Sequence, residues 1–319
     1  MRMDMGPPPK RGRSPQSCTK CKAKPSVYFR PYSGERLCAG CFSESIRERV
    51  ERTIARFDMV DFDSRIAVGV SGGKDSLNLL HILADIEGRY PRAELVAVTI
   101  DEGIKRYRDE ALGFVREASG RLGVELLTLS FKELFGITLD EIMEKSNDRE
   151  LTPCAYCGVL RRRALNEAAR RVDADRLATA HNLDDMAQTA LLNMLRGDLR
   201  RFAAMHPAGV GLQGFVRRIK PYCEVPERES AMLAYLRGLE FQSVPCPYAG
   251  EAMRNDARNF LIEMEAKRPG TQFIVLRTSL DLISSIPEKF VEPDGVCKSC
   301  GEPTTGDRCR VCQLLEDLI

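Results

Sequence analysis

The chain has 319 residues and a formal net charge of +2; 43% of its residues are hydrophobic and 29% are charged. This length accommodates one large domain with small modules, and the apolar content suffices for a sizeable core. The near-neutral charge argues against a protein that binds nucleic acid over its whole surface. The sequence contains no apolar run of about 18 residues, which argues against a transmembrane helix and so against a membrane partner.

Residues 1–16 are predicted to form a disordered basic tail. The tail contains Pro7-Pro8-Pro9 and Lys10-Arg11-Gly12-Arg13 and lacks the apolar segment of a secretory signal. It either contacts RNA or is solvated without a specific role. Without a secretory signal, the chain is expected to be cytoplasmic, and its CxxC pairs then indicate metal or cluster ligation in a reducing compartment.

Residues 17–60 are predicted to form a zinc ribbon followed by a linker helix. Two CxxC pairs, separated by residues 22–37, supply four thiolates from Cys18, Cys21, Cys38 and Cys41. This spacing is typical of a structural zinc site with closed tetrahedral coordination. The linker helix is expected to begin at Ser45, with Glu48 completing a capping box.

Residues 61–285 are predicted to form an α/β domain with a doubly wound parallel sheet, because strands alternate with helices along this segment. The predicted strands span 65–70, 94–100, 124–130 and 176–180, and the predicted helices span 75–87, 105–122, 138–147, 158–172, 184–196, 226–238 and 253–267. In sheets of this class, ligands bind beyond the carboxyl ends of the strands.

A glycine-rich turn, Ser71-Gly72-Gly73-Lys74-Asp75-Ser76, follows the first strand and opens the first helix. Glycines allow close backbone approach to a phosphate, and the amino terminus of a helix directs N–H groups and its positive dipole end toward it. Lys74 adds a positive charge, and the serines add hydroxyl donors. The turn does not match the GxxxxGKS/T pattern, which disfavours a Walker-type kinase or GTPase. The alternative is an ordinary strand-to-helix turn.

Two further segments follow strand ends and are expected to meet this turn in one crevice. They are Thr99-Ile100-Asp101 and Thr179-Ala180-His181. The second leads into the paired acids Asp184 and Asp185 at a helix start. Paired carboxylates at this place suit Mg²⁺ held together with ATP phosphates. They also suit helix capping, which explains one aspartate better than two.

Three cysteines of this domain are candidates for a reactive site. Cys154 and Cys157 open an arginine-rich helix, whose amino terminus stabilises thiolates, and Cys246 lies in a stiff proline-rich segment. Three thiolates can hold an iron–sulfur cluster and leave one iron open. The spacing alone leaves a cluster, a third zinc and a redox-active disulfide equally open. Cys223 has no partner at motif spacing and is expected to be a buried structural thiol.

Three basic clusters lie within 60 residues of one another, next to the candidate site. Each alone is best explained as a solvated helix face, but together they favour a polyanionic substrate. The clusters are Arg161-Arg162-Arg163 with Arg170-Arg171, Arg196 to Arg201, and Arg217-Arg218-Ile219-Lys220. Residues 286–319 are predicted to form a second zinc ribbon with the ligands Cys297, Cys300, Cys309 and Cys312.

In this order, the two ribbons and the motifs SGGKDS, PCxxCG, HNxDD and VPCPY resemble the tRNA 2-thiolation enzymes of the PP-loop ATP pyrophosphatases. The resemblance covers nearly the whole chain. That family includes the archaeal and eukaryotic cytoplasmic wobble-uridine thiolases and the thermophile T-loop thiouridine synthetases. The resemblance implies a doubly wound α/β domain that binds ATP, flanked by two zinc ribbons with four cysteine ligands each, and it implies a homodimer.

The resemblance also implies roles for individual residues. The ATP phosphates would bind at Val70, Ser71, Gly72, Gly73, Lys74, Asp75 and Ser76, and the adenosine near Thr99, Ile100 and Asp101. Asp185, beside Ala180, would lie at the Mg²⁺ and phosphate end, and Arg161 would meet the nucleotide. Cys154, Cys157 and Cys246 would be the ligands of a 4Fe–4S cluster. Lys74, Asp75, Asp185 and these three cysteines would be the catalytic set.

The implied activity is the ATP-dependent 2-thiolation of a tRNA uridine. Adenylation of the C2 carbonyl oxygen releases pyrophosphate, and sulfur transfer at the cluster then displaces AMP. The donor would be sulfide or the thiocarboxylate of a ubiquitin-like carrier. The sequence of Gly158–Leu165 and Leu195–Asp198 favours the wobble uridine over a T-loop uridine. Paired ribbons count against cytidine 2-thiolation. The alternative without catalysis is a zinc-ribbon scaffold that binds tRNA.

Overall fold

The computed structural model describes residues 16–88, 92–146, 151–209, 214–249, 252–287, 295–316 and 318. The chain divides into two compact units, Met1–Ile46 and Arg47–Ile319. The predicted basic tail lies outside the described residues, apart from its last position. Within the described part of the chain, no helix is both long and apolar enough to cross a membrane.

The first unit contains a small antiparallel hairpin and the start of a helix. Strands β1 (Tyr28–Phe29) and β2 (Arg36–Leu37) pair, and helix α1 (Ala39–Arg56) follows directly. The prediction that this helix begins at Ser45 is wrong, because Cys41 already lies in its first turn and Cys38 directly precedes it. Ser45 lies inside the helix, where its hydroxyl donates to the Phe42 carbonyl at 2.7 Å and accepts from Arg30 Nη2 at 2.7 Å.

A five-stranded parallel sheet organises the second unit and confirms the predicted sheet. Its strands are β3 (Arg65–Gly69), β4 (Glu94–Asp101), β5 (Glu125–Ser130), β6 (Arg176–Thr179) and β7 (Arg217–Ile219). The spatial order is β5-β4-β3-β6-β7. Because the direction of winding reverses between β3 and β6, a crevice forms beyond their carboxyl ends. The edge strand β7 was not predicted, since its three residues begin with two arginines.

The described helices between residues 61 and 285 are α2 (Lys74–Glu87), α3 (Tyr107–Leu122), α4 (Phe131–Phe135), α5 (Leu139–Lys145), α6 (Pro153–Arg171), α7 (Leu183–Leu195), α8 (Leu199–Ala203), α9 (Glu227–Arg237), α10 (Ala252–Lys267) and α11 (Thr271–Ile283). They lie close to the predicted positions, except that the sequence did not indicate α4, α8 and α11.

Helix α6 begins five residues before its predicted start. The Thr152 hydroxyl caps it by accepting the Ala155 N–H, and Pro153 occupies the first turn, where its missing N–H costs nothing. Leu160, Ala164 and Ala168 recur at intervals of four residues and are fully buried, so this helix face packs on the sheet. The early start places both Cys154 and Cys157 at the helix amino terminus.

The chain ends in a second small hairpin, β8 (Gly295–Val296) with β9 (Pro303–Thr304), followed by helix α12 (Arg310–Glu316). Helix α12 packs on α6, and one carboxylate of this segment forms ion pairs with it. Glu302, whose side chain is 8% exposed, pairs with Arg163 and, at 2.7 Å from Oε1 to Nη1, with Arg170. The C-terminal ribbon is therefore fixed to the same helix that carries the cysteines.

We expect Glu302→Gln to lower the free energy of unfolding by about 1–3 kcal/mol, since it removes the ion pairs that Arg163 and Arg170 both form with this buried carboxylate. Urea unfolding of the full chain measures the change. Glu167→Gln is the matched control: its carboxylate also pairs with Arg170, at 3.7 Å, but on a more exposed part of the helix surface. Equal stability of the two variants would show that Glu302 does not fix the ribbon.

Candidate functional site

The glycine-rich turn forms a closed loop at the carboxyl end of β3. The Ser71 N–H donates to Ser76 Oγ at 3.1 Å, and Ser76 Oγ donates to the Gly73 carbonyl at 2.9 Å. Gly72 has φ +87°, and a Cβ at this residue would lie 2.6 Å from the Ala111 carbonyl oxygen. Among the described residues, no side chain caps α2 at Gly73, so the first N–H groups of the helix are available to an anion.

Lys74 points into the crevice between two carboxylates. Its Nζ lies 3.0 Å from Asp75 Oδ2 and 3.2 Å from Glu227 Oε1. Desolvation by itself would lower the pKa of Lys74, but the two neighbouring carboxylates raise it above its ordinary value. The side chain is therefore a permanent cation, held by acids that an incoming phosphate can replace.

The paired aspartates at the start of α7 have separate structural partners. Asp185 forms a capping box with Asn182: its carboxylate accepts the Asn182 N–H at 3.2 Å, and its own N–H donates to Asn182 Oδ1 at 2.9 Å. Asp184 accepts the Glu227 N–H at 2.7 Å and Gln272 Nε2 at 2.8 Å. Asp184 thus attaches α9 and α11 to this edge, a long-range role that capping does not describe.

Asp185 carries an unusual charge environment. Its pKa is raised to about 6: burial is the largest cause, Asp75 and Glu227 act in the same direction, and Arg254 and the Asn182 N–H oppose the shift. A carboxyl group whose pKa is raised by burial and by neighbouring carboxylates fits a site for a cation. Within the described residues, these acids do not form a compact set with all ligand atoms within 4.8 Å, so phosphate oxygens would have to complete the coordination of a metal ion.

A buried carboxylate that the sequence analysis missed connects this loop to the cysteine helix. Glu102, whose side chain is 4% exposed, forms ion pairs with Arg108 Nε and with Arg161 Nε, each at 2.7 Å. Arg108 also donates to the Ser71 carbonyl at 2.8 Å and to the Ile100 carbonyl at 2.5 Å. The sequence offered one signal for the role of Glu102: it is an acid directly after a strand end, next to the Thr99–Asp101 segment.

The three predicted cysteines come together beside Arg161. Arg161 Nη2 donates to Cys157 Sγ at 3.0 Å, and Cys154 Sγ donates to the Tyr248 carbonyl at 3.6 Å, two residues beyond Cys246. The charges of Cys154 and Cys246 both act on Cys157. Burial raises the pKa of Cys157 to about 11, although Arg161 opposes the shift. A positive metal centre would supply the charge that favours the thiolate.

The remaining predicted nucleotide-site residues lie at the ends of the same strands. Thr99 is buried and accepts Arg108 Nη2 at 3.2 Å, and Asp101 Oδ1 accepts the Gly103 N–H at 2.8 Å. The Val70 N–H donates to the Val98 carbonyl, and Ala180 is half-buried after β6. Cys223 is fully buried in an apolar cluster with Phe202 and Met205, as predicted.

Each ribbon brings four cysteine sulfurs within 4.8 Å of one another: Cys18, Cys21, Cys38 and Cys41 in one, and Cys297, Cys300, Cys309 and Cys312 in the other. The Sγ–Sγ distance is 3.9 Å between Cys21 and Cys38. It is 3.6 Å between Cys300 and Cys309. Tetrahedral coordination with metal–sulfur bonds of about 2.3 Å requires separations of about 3.8 Å. Both sets therefore match a single bound ion.

Family models match most of the chain in two segments. A model for the PP-loop domain matches residues 44–265. A model for the N-terminal LIM domain of the 2-thiouridine synthetase TtuA matches residues 17–43. Together they cover the first ribbon and the sheet with its glycine-rich turn.

Similar proteins extend over nearly the whole chain. The tRNA 2-thiolation protein NcsA of Haloferax volcanii is 37% identical over 318 residues, which covers 94% of this chain and 98% of that protein. Cytoplasmic tRNA 2-thiolation protein 1 of Chlamydomonas reinhardtii is 36% identical, covering 95% and 85%. The solved structure of the U34-tRNA thiolase NcsA from Methanococcus maripaludis with its 4Fe-4S cluster has a TM-score of 0.84 and 32% identity, covering 95% and 96%.

Gly72→Ala is expected to lower the free energy of unfolding by about 2–4 kcal/mol, since the added Cβ meets the Ala111 carbonyl and the left-handed backbone is strained. Urea unfolding measures the loss. Gly113→Ala is the control: this helical glycine has open space around its Cβ position, and alanine should leave stability unchanged or raise it by up to about 1 kcal/mol. A stable Gly72→Ala protein would contradict the close approach.

Asp185→Asn is expected to stabilise the folded protein by about 1–2 kcal/mol at pH 7.5, because the wild-type carboxylate is charged in a partly desolvated place. The folded pKa of about 6 exceeds the ordinary 3.8, so folding takes up a proton between those values. The difference should therefore grow from pH 4 to 6 and vanish below pH 4. Urea unfolding across this pH range measures it, and a pH-independent difference would contradict the raised pKa.

Proposed function

The chain belongs to the PP-loop family of tRNA 2-thiolation proteins, and we propose that it transfers sulfur to C2 of a tRNA uridine after activating that position with ATP. Its membership confirms the resemblance inferred from the sequence motifs. The remaining questions are which residues act in the reaction and which uridine is modified.

One observation carries the proposal for the site. The segment from Gln242 to Tyr248 runs from the glycine-rich turn to the cysteine helix: the Gln242 N–H donates to the Gly72 carbonyl at 2.9 Å, and the Tyr248 carbonyl accepts Cys154 Sγ. Cys246 lies between these two contacts. A nucleotide at the turn and a sulfur-bearing group at the cysteines would therefore share one crevice.

The glycine-rich turn is suited to the activation step. The free N–H groups of α2 and the Lys74 ammonium bind the β- and γ-phosphates, whose charge grows as the uridine C2 oxygen attacks the α-phosphorus. Pyrophosphate then leaves, and the uridine carries AMP on O2. Asp75 and Asp185 can hold Mg²⁺ with the phosphate oxygens, and the Thr99–Asp101 segment lies where the adenosine would bind.

The three cysteines suit a 4Fe–4S cluster better than a third zinc ion. They supply three ligands, and their sulfurs do not form a compact set within 4.8 Å, unlike the sulfurs of the two ribbons in the described residues. A cluster held by three cysteines supplies an open iron at which a sulfur atom can bind. Arg161 places a positive charge beside this point, where it can stabilise the departing AMP. A sulfur nucleophile then attacks C2, and the C2–O2 bond breaks.

Further parts of the proposal follow from the fit of individual residues and from the relatives. The eight ribbon cysteines would bind zinc in two sets of four, which the sulfur separations fit. The donor would be sulfide or the thiocarboxylate of a ubiquitin-like carrier. A cytoplasmic homodimer is the expected form, and the relative from Chlamydomonas is named as cytoplasmic.

The wobble uridine is the proposed target, and a T-loop uridine is the second candidate. The neighbour of known structure is named a U34-tRNA thiolase, which favours the wobble position. The match of residues 17–43 to the N-terminal domain of TtuA favours a 2-thiouridine product without selecting the position. Cytidine 2-thiolation and a non-catalytic tRNA-binding scaffold have no comparable support.

Anaerobic incubation of the reconstituted protein with unmodified tRNA, ATP, Mg²⁺ and sulfide is expected to form 2-thiouridine in the anticodon fragment, with AMP as co-product. Mass spectrometry of nuclease fragments locates the modification. The same nucleoside in the T-loop fragment would assign the second target. Release of ADP, or no thiolation with a loaded cluster and bound ATP, would contradict the proposed chemistry.

Cys246→Ala is expected to reduce thiolation at least ~100-fold and to lower iron content per chain, while ATP affinity changes less than about twofold, because the loss concerns the cluster and not the glycine-rich turn. Val244→Ala is the control, since it alters an exposed side chain of the same segment. Normal thiolation by the Cys246→Ala protein would exclude Cys246 as a ligand.

A further inference from the structure

The three consecutive arginines of α6 have three different environments, since successive residues of a helix point about 100° apart. Arg161 pairs with Glu102 and contacts Cys157, and Arg163 pairs with Glu302 of the C-terminal ribbon. Arg162 lies between them on the helix surface. Within the described part of the chain, it has no ion pair and no hydrogen-bond partner.

Of the three basic residues in β7 and directly after it, two are hydrogen-bonded and one is not. Arg217 Nε donates to the Ala208 carbonyl at 2.9 Å. Lys220 Nζ donates to two carbonyls, those of Met205 at 3.0 Å and His206 at 2.8 Å. Arg218 lacks such contacts: its Nε is buried and has no partner among the residues that the structure describes.

A pair of hydrogen bonds places Arg162 and Arg218 opposite each other. Asn166 Oδ1 accepts the Val216 N–H at 2.9 Å, and Asn166 Nδ2 donates to the Gly214 carbonyl at 3.4 Å, which sets the register of α6 against β7. Arg162 lies one turn before Asn166, about 6 Å along the helix. Arg218 lies two residues after Val216 on the same face of the strand, about 6.6 Å along it. Because α6 runs antiparallel to the strands, both steps lead to the same edge of the sheet.

The electrostatics agree with this register. Burial lowers the pKa of Arg218 to about 10, and Arg162 is the charged group that lowers it further. Although the Arg162 side chain is exposed, surrounding protein desolvates it and lowers its pKa, with further contributions from Arg201 and Arg161. Among the residues that the structure describes, no carboxylate opposes the shift at either arginine. In this part of the chain, the edge thus holds two facing guanidinium groups without a counter-ion.

We propose that Arg162 and Arg218 together bind one backbone phosphate of the tRNA, beside the uridine that enters the crevice; this inference rests on the proposed function. Two guanidinium forks match the geometry of a phosphate, which accepts several N–H bonds at once. The ATP phosphates are the other source of this chemistry. However, their turn follows β3, and β7 is two strands away, about 10 Å across the sheet.

A binding experiment with the full chain and an unmodified tRNA transcript tests this contact. Fluorescence anisotropy measures the affinity over a range of salt concentrations. Arg162→Gln and Arg218→Gln are each expected to weaken binding roughly tenfold and to reduce the salt slope by about one. The double variant should bind only slightly more weakly than either single variant, because all three variants lose the contact to the same phosphate. Arg162→Lys, which keeps the charge and loses the fork, should fall between wild type and Arg162→Gln.

Arg171→Gln is the matched control. Its guanidinium lies on the same helix, and it pairs with Glu133 at 2.7 Å and with Glu167 at 3.2 Å. Its removal should leave the salt slope unchanged. Melting of the Arg162→Gln protein should occur at the same temperature as wild type or higher, because a repulsion is relieved. If Arg218→Gln does not fold, the test is made with Arg162→Gln and Arg162→Lys, because the Arg162 side chain is exposed.

Two outcomes would overturn the proposal. In the first, Arg162→Gln and Arg218→Gln bind tRNA with the same affinity and salt slope as the control Arg171→Gln. The other is a tenfold loss of ATP affinity with unchanged tRNA affinity, which would assign the pair to the nucleotide. Neither outcome depends on thiolation. The proposed function is judged separately by the wild-type protein, which would refute it by forming no 2-thiouridine.

Discussion

Glu102 is buried between two guanidinium groups, and the arrangement of the crevice depends on it. Through Arg108 it reaches the Ser71 carbonyl of the glycine-rich turn, and through Arg161 it reaches the sulfur of Cys157. Without this carboxylate, the buried guanidinium group of Arg108 would face the half-exposed guanidinium group of Arg161 with no anion between them, which is unfavourable in a partly desolvated place. The nucleotide loop and the cysteine helix, far apart in sequence, are thereby held in one register.

The crevice also contains charges that the protein leaves unbalanced. The pKa of Asp185 is raised, so its charged form is disfavoured. Arg162 and Arg218 are cations without counter-ions among the described residues. Such groups cost stability in the free protein, so their presence at a strand edge is typical of ligand sites. A dication would balance the Asp185 carboxylate, and a phosphate would balance the two arginines. The negative and the positive group lie at different places on the edge, which suits a metal–nucleotide complex at one and an RNA backbone at the other.

Helix α6 links the parts of the molecule that carry chemistry. Its amino terminus holds two of the three candidate cluster cysteines, its middle turns hold the arginine run, and its later turns reach Glu302 of the second ribbon through Arg170. A rigid helix fixes the spacing among these groups, because its backbone is saturated with hydrogen bonds and its apolar face is buried. The C-terminal ribbon can therefore support the cysteine site without contributing a ligand to it.

Local patterns in the chain were sufficient for the ribbons, the glycine-rich turn and the parallel sheet, since each follows from short-range spacing. Four CxxC pairs predict their own closed geometry, and alternating strands and helices predict a parallel sheet. Long-range contacts decided the rest. In the sequence, Glu102 is one more acid after a strand. Asp184 is one of two acids that suit either Mg²⁺ or helix capping, and β7 is part of a basic cluster. Of three adjacent arginines, the sequence could not separate the paired from the unpaired, because a counter-ion is found only by folding distant segments together.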